Sequence, residues 1–249
     1  MLRSIKHSYG NKLAALDGEI GHVRDFYFDD QNWAVRYVVA DTGNWLPGRQ
    51  VLLAPYVFDR FQLEEKFVAV NLTRKQIEDS PSIDTHKPLS RQYEMEYYRH
   101  YGFPNYWDGG GLWGMNSYPT LDRPPGPLAD GQGMLHDAPR VAADAHLRST
   151  QAVNGYAVHA SDGVVGHVCD FMMEPRTWAI QQLVVKTGHR LSGREVLIPS
   201  SQVERISYDE STIYIRLTRA ATEQSPEHTL NLNGTEMGAT APPIHGLTL

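Results

Sequence analysis

The hydrophobic positions along the chain alternate in short runs, and turn-forming residues separate these runs. The segment 33–40 is the clearest case, because large apolar side chains occupy every second position, which is the period of a β-strand. The segment 20–28 is also rich in aromatic and β-branched residues, but its alternation breaks near Gly21, which predicts a β-bulge there. Further short strands are predicted at 51–53, 57–61 and 67–72.

The whole pattern occurs twice in the chain. The segment 17–81 aligns with 162–226 at a constant offset of 145 and without a gap, and 25 of the 65 aligned positions are identical. DGEIGHVRDF, for example, returns as DGVVGHVCDF. The repeat predicts two similar domains whose shared residues mostly reflect the needs of the fold. We call 17–81 the first repeat and 162–226 the second repeat.

Two segments have helical rather than strand signals. Thr73 and Gln76 match a capping box, which predicts one short helical turn at that point. The segment 89–101 predicts a longer helix, with Ser90 near its start and Gly102 at its end.

The predicted helix belongs to an unusually aromatic segment. Nine of the 26 residues in 93–118 are Tyr, Trp or Phe, and a glycine triplet interrupts the run at 109–111. The segment 119–149 is rich in Pro, Gly and Ala and predicts an extended linker. The polar tail after residue 227 predicts a flexible end.

Composition narrows the classes of function. The chain has 249 residues, 41% hydrophobic content and a net charge of −6, so a surface that follows a phosphate backbone is not expected. Cys169 is the single cysteine, which excludes an intrachain disulfide and fits a reducing compartment. No apolar run approaches a membrane span and no signal peptide is recognised, so we expect a cytoplasmic protein.

The repeated motifs resemble a PRC-barrel domain. They are Asp-Gly, then Gly-x-Val-x-Asp-Phe, then WAVRYVVADTG and GRQVLL, in the first repeat and again, with changes, in the second. That family is named from the cytoplasmic domain of the photosynthetic reaction centre H subunit, and it includes a domain of a ribosome maturation factor that binds a ribosomal protein. The resemblance implies small β-barrels that contact other macromolecules without catalytic residues, here without the membrane helix of the H subunit.

We therefore predict an all-β protein with two small PRC-type β-barrels, joined by an aromatic helix and a Pro/Gly-rich linker. The expected divisions are a first barrel domain, the helix with its linker, a second barrel domain and a tail, at 1–87, 88–149, 150–227 and 228–249. The barrels are expected to pack about an approximate twofold axis, within one chain or between two chains.

The polar residues that recur in both repeats have either a structural or a catalytic interpretation. Asp25 and Asp170 are equivalent, as are Arg49 and Arg194, and we expect an Asp–Arg pair to join two strands in each repeat. A catalytic carboxylate is the alternative, but duplicated active sites tend to diverge in one copy.

Two further candidates concern metal binding and nucleophilic catalysis. His22 and His167 are equivalent and are candidate metal ligands across a twofold axis, with a plain strand position as the favoured alternative. Cys169 lies two residues from His167, yet a small packing residue is favoured over a nucleophile. No cofactor and no metal site is predicted.

The aromatic segment is the predicted contact surface for another protein, because clustered exposed aromatics mark interfaces. The alternative is that its helix packs into a groove between the two barrels of its own chain. The candidate contact residues are Tyr97, Tyr98, Tyr101, Trp107 and Trp113.

The expected function is a non-enzymatic scaffold or adaptor that binds a protein of unknown identity, with homodimerisation left open. Two alternatives are a photosynthesis- or electron-transfer-associated accessory protein and a small-ligand or metal-binding protein. Direct nucleic-acid binding is not expected, so any ribosome-linked role would act through a ribosomal protein.

Overall fold

The computed structural model describes six stretches of the chain: 1–58, 67–83, 89–121, 124–126, 147–188 and 193–229. Most of the predicted strand 57–61, most of the predicted linker and the tail beyond residue 229 lie outside the described residues.

The described residues are mostly β-structure with a few short helices. The strands of the first half are β1 Arg3–Ser4, β2 Lys12–Ala15, β3 Gly18–Asp29, β4 Ala34–Asp41, β5 Gln50–Leu53 and β6 Phe67–Ala69. The remaining strands are β7 Leu147–Ser149, β8 Ala157–Ala160, β9 Gly163–Glu174, β10 Ala179–Thr187, β11 Glu195–Pro199, β12 Val203–Ser207 and β13 Thr212–Ile215. The α-helices are α1 Arg74–Glu78, α2 Arg91–Tyr101, α3 Thr150–Val153 and α4 Arg219–Glu223.

One sheet runs through both halves of the chain. Its order is β12-β13-β8-β9-β10-β4-β3-β2-β6, with β5 beside β4 and β11 beside β10. Within the first repeat and its flanks, β3 pairs with β2 and β4, and β6 joins β2 in parallel. The second half has the same pairings at the same offset, with β9 between β8 and β10 and with β13 parallel to β8.

The predicted bulge at Gly21 is confirmed. The pairing of β2 with β3 shifts register between Leu13 and Ala14, opposite Gly21 and Glu19. A Cβ atom built on Gly21 would lie 1.9 Å from the carbonyl oxygen of Asp41, so only glycine lets β3 approach β4 this closely. The second repeat has the same constraint at the equivalent glycine, at 2.0 Å from a backbone oxygen of β10.

Gly21→Ala is expected to destabilise the protein by roughly 3 kcal/mol or more, because the new methyl group clashes with backbone and no side chain can move aside. Chemical denaturation followed by tryptophan fluorescence measures the loss. Gly110→Ala is the matched control, since no atom lies within 4 Å of its built Cβ. Equal effects of the two substitutions would contradict the close approach.

Both predicted helix starts are confirmed. The Thr73 hydroxyl oxygen accepts a hydrogen bond from the Gln76 backbone amide, and the Thr73 backbone amide donates to the Gln76 side-chain oxygen, so α1 begins with a complete capping box. Ser90 caps α2 by accepting from the Tyr93 amide, and Gly102 ends it in the left-handed conformation at φ 68°.

The core is continuous from the strands of both repeats to the buried face of α2. No helix in the described part of the chain is both long enough and apolar enough to cross a membrane.

Candidate functional site

Two short segments each leave their own half of the molecule and pack on the opposite half. The first is the arm 3–8, which precedes the first repeat but pairs with β9 of the second repeat through β1. The Ser4 hydroxyl donates to the Asp170 carboxylate, and the amide of Lys6 donates to the same carboxylate at 2.9 Å. Ile5 is completely buried between them. We call this segment the first arm.

The second arm is the segment 148–153, which precedes the second repeat and packs on the first. The Ser149 hydroxyl donates to the Asp25 carboxylate, and the amide of Gln151 donates to it at 3.1 Å. Thr150 adds a third donor at 2.9 Å and is completely buried. Each arm therefore satisfies a buried aspartate of the opposite repeat.

The two contacts are equivalent at the same offset of 145, which extends the repeat upstream to the arms. The middle of the molecule is reciprocal too: the Val35 amide donates to the Trp178 carbonyl at 2.9 Å, and the Ile180 amide donates to the Trp33 carbonyl at 2.6 Å. Contacts in which each partner uses the same residues define an approximate twofold relation. We call the two arm contacts with their central strand contact the interlock.

The structure corrects the predicted Asp–Arg pairing. Asp25 binds the second arm instead, while Arg49 donates to the backbone carbonyls of Glu78 and Ser80. In the second repeat, Arg194 pairs with Glu227 at 3.3 Å on the surface. The recurring aspartates and arginines therefore have separate structural roles. Each aspartate joins the two repeats, and each arginine binds residues near the C-terminal end of its own half.

Sequence reasoning missed the arm residues. The available signal was the pair of dipeptides Arg3-Ser4 and Arg148-Ser149, which lie at the same offset of 145 but upstream of the aligned motifs. An isolated Arg-Ser dipeptide carries no structural meaning by itself, so only its match in both copies would have indicated a role.

Burial raises the pKa of both Asp25 and Asp170, although the hydrogen bonds from the arms act in the opposite direction. A carboxyl whose pKa is higher in the folded than in the unfolded chain binds protons preferentially when folded. Its contribution to stability is complete below the unfolded pKa of 3.8 and is lost as the pH rises through the folded pKa.

We therefore expect the stability advantage of the native chain over Asp25→Asn and Asp170→Asn to shrink as the pH is raised from about 3.5 to 7. Each asparagine keeps the size of the side chain but does not titrate. Urea denaturation of native and variant chains across this range measures the difference, and an advantage that grows with pH would contradict the raised pKa values.

A second buried polar cluster holds α2 against the first repeat. The Glu94 carboxylate is 1% exposed and accepts hydrogen bonds from Tyr37 at 2.9 Å and from Tyr106 at 2.8 Å. Arg91, one turn earlier on α2, lies 2.9 Å from the other oxygen of this carboxylate. The charge is therefore paired and hydrogen-bonded, as a buried carboxylate requires.

Arg36 extends this cluster toward the second repeat. Its guanidinium lies 3.8 Å from the Tyr106 ring centroid and 4.9 Å from that of Trp113, and it pairs with Asp29 at 3.0 Å. The Trp113 indole nitrogen in turn donates to the backbone carbonyl of Thr177 at 2.8 Å. Trp113 thus links the aromatic segment to the turn between β9 and β10.

Burial corrects the predicted contact surface. Four of its five residues lie inside the chain with at most 1% exposure: Tyr97, Tyr98, Tyr101 and Trp113. They pack on one another and on Tyr56 and Phe103, so the helix packs inside its own chain, against the first repeat. Trp107 is the fifth residue, and it is only partly buried.

Two neighbouring tyrosines of α2 allow a matched test of this packing. The Tyr97 hydroxyl donates to the Leu52 carbonyl at 2.9 Å and accepts from the Ala54 amide, so it hydrogen-bonds β5 and the residue that follows it. The buried Tyr98 hydroxyl has no hydrogen-bond partner among the described residues. We expect Tyr97→Phe to cost about 1–3 kcal/mol and Tyr98→Phe to be neutral or slightly stabilising. Denaturation curves of the two variants check this, and equal losses would contradict it.

The aromatic segment still presents apolar side chains on the surface. Met115 is 84% exposed and Tyr118 is 40% exposed, and the guanidinium of Arg176 from the second repeat lies 4.9 Å from the Tyr118 ring centroid. Trp107 lies on the same segment, with Arg91 at 4.4 Å from its ring. We call Trp107, Met115, Tyr118 and Arg176 the junction patch.

The remaining candidate residues from the sequence are His22, His167 and Cys169. His22 is exposed and His167 partly exposed, and the described residues contain no group of three or more His, Cys, Asp or Glu side chains arranged to hold a metal. The Cys169 thiol donates to the Val184 carbonyl at 3.4 Å, and burial raises its pKa to about 12. That thiol is therefore protonated at neutral pH.

Comparison with known protein families finds a match for one region of the chain. Residues 152–221 match the model of the PRC-barrel domain family, and they cover the end of α3, β8 to β13 and the start of α4. No curated protein matches the chain.

Proposed function

We propose that this protein is a non-enzymatic interaction scaffold built from two PRC-type β-barrel units, of which the second contains the matched region. The proposal of a first unit is supported by the 25 identities in 65 positions and by the equal strand pairings of the two halves.

The interlock favours a scaffold because it fixes the two units relative to each other. Two arms, two buried carboxylates and the central strand pairing must break together before the halves separate. A surface formed at their junction is then held in one shape without ordering cost at the moment of binding.

The junction patch carries the proposal. Trp113 is anchored in the core and binds the second repeat, yet two residues later Met115 is 84% exposed. Exposed Met, Tyr and Arg side chains beside a half-buried Trp, on a rigid support, match the composition enriched in protein interfaces. We therefore place the binding of a protein partner here rather than on the buried face of α2.

The test is affinity purification of the tagged full chain from native lysate, in parallel with Met115→Ser/Tyr118→Ser. The control variant is Leu16→Ser/Phe67→Ser, which removes two exposed apolar side chains outside the patch. A partner that is lost only from the patch variant, while circular dichroism shows all three chains folded, supports the proposal.

Other results would contradict the proposal. A partner retained by the patch variant, or lost from both variants, contradicts the junction patch as the contact surface. A turnover-dependent activity that persists in the patch variant would contradict the scaffold function itself.

A further inference from the structure

Each buried aspartate forms a groove that binds a short segment running from a strand into a helical turn, and the chain itself supplies two different occupants. The arms are RSIKHS and RSTQAV, which share only Arg-Ser at their first two positions. In both grooves the contacts are the serine hydroxyl, a backbone amide two residues later and one fully buried β-branched side chain between them. The groove therefore recognises a segment that any copy of this chain carries.

None of these contacts depends on the arm and the groove lying in the same chain. In an exchanged pair, the first repeat of one copy would interlock with the second repeat of the other, and every contact of the interlock would form twice. The junction patch would also form twice, because the Tyr118–Arg176 contact within it and the nearby Trp113–Thr177 hydrogen bond cross the same boundary. The difference would be which first half is covalently joined to which second half.

We propose that the interlock is also the surface through which this chain binds a second copy of itself, by exchange of whole repeats. The site at Asp170 then takes Ser4 from the second copy, and the site at Asp25 takes its Ser149. Such a dimer displays two junction patches, so the inference extends the scaffold function to a bivalent form.

The balance between the two forms is set by concentration. Covalent connection of two units gives an effective concentration on the order of 1 mM, and the intrachain interlock competes with exchange at that concentration. Roughly half of the chains should be exchanged after refolding at ~1 mM, against about 2% at ~10 μM.

The test uses two full-length variants, both with Cys169→Ser. One carries Arg3→Cys and the other carries Met173→Cys, at positions that pair across β1 and β9. Paired strand residues are close enough for a disulfide. Neither variant holds both new cysteines, so cross-linking above the random-collision background requires the arm of one copy to lie in the groove of the other. The variants are unfolded together, refolded, oxidised and analysed on a non-reducing gel.

We expect the disulfide-linked dimer to increase roughly tenfold or more between ~10 μM and ~1 mM. The control replaces Met173→Cys with Lys75→Cys, an exposed position that reports random collision. Cross-linking that does not exceed this control at either concentration overturns the proposal.

A second measurement covers the case in which Met173→Cys does not fold. The unmodified chain is refolded at the same concentrations and its mass is measured by light scattering after size exclusion. A dimer that forms at ~1 mM but not at ~10 μM, and whose fraction Ser4→Ala/Ser149→Ala leaves unchanged because both forms lose the same contacts, supports the exchange. A monomer at both concentrations, or a dimer abolished by the two substitutions while the monomer stays folded, refutes it while leaving the adaptor function open.

Discussion

Asp170→Ala is expected to lower the free energy of unfolding by roughly 3–5 kcal/mol. The carboxylate accepts hydrogen bonds from the Ser4 hydroxyl, from the Lys6 amide and from the Phe171 amide at 2.7 Å. Removing it leaves these donors without their acceptor in a site where the aspartate is only 8% exposed. Urea denaturation measures the loss, and Asp25→Ala should reproduce it because the second arm makes equivalent contacts.

The release of the arm distinguishes this effect from a general loss of packing. Hydrogen exchange of the Lys6 amide should accelerate in Asp170→Ala more than that of amides in β4. Asp209→Ala is the control, since this exposed aspartate should change stability by no more than about 0.5 kcal/mol. An Asp170→Ala variant as stable as this control would contradict the interlock.

Glu94→Ala is expected to cost roughly 3–5 kcal/mol, because it leaves Arg91 without its buried partner and removes the acceptor of two tyrosine hydroxyls. The affected hydroxyls are those of Tyr37 on β4 and Tyr106 in the aromatic segment. The loss should therefore loosen α2 from the first repeat, and denaturation followed by tryptophan fluorescence should detect it. Glu94→Gln keeps one acceptor and should cost less.

The same helix supplies the control for this prediction. Glu96 is exposed two residues further along α2, so Glu96→Ala tests the loss of a glutamate without burial. Its expected effect is within about 0.5 kcal/mol. A double-mutant cycle between Glu94→Ala and Tyr37→Phe should give a coupling energy of roughly 0.5–3 kcal/mol, and strict additivity would show that the two side chains do not interact.

Local features of the fold were predictable because they depend on neighbouring residues. The strand period, the bulge at Gly21, the capping box at Thr73 and the limits of α2 each follow from residues within a few positions of one another. The resemblance to a PRC-barrel domain was predictable for the same reason, since its motifs are short and recur, and the family match confirms it for residues 152–221.

The roles of the recurring aspartates and of the clustered aromatic residues were harder to predict. The repeat showed that Asp25 and Asp170 are equivalent, but a nearby arginine was a plausible partner in sequence and the true donors lie 124 and 166 residues away. Aromatic density likewise indicated a surface that binds a partner, whereas the four tyrosine and tryptophan side chains at its centre fill the core.

The sequence by itself determined the repeat, the elements within it and the β-rich class, because hydrogen-bonding patterns and turn chemistry are read over a few residues. Tertiary structure alone decided which face of α2 is buried and that each arm crosses to the opposite repeat. Equivalent arms and grooves satisfy the same contacts within a half or between halves, so the pattern of residues is identical in both cases. Only the geometry of the packed chain selects between them.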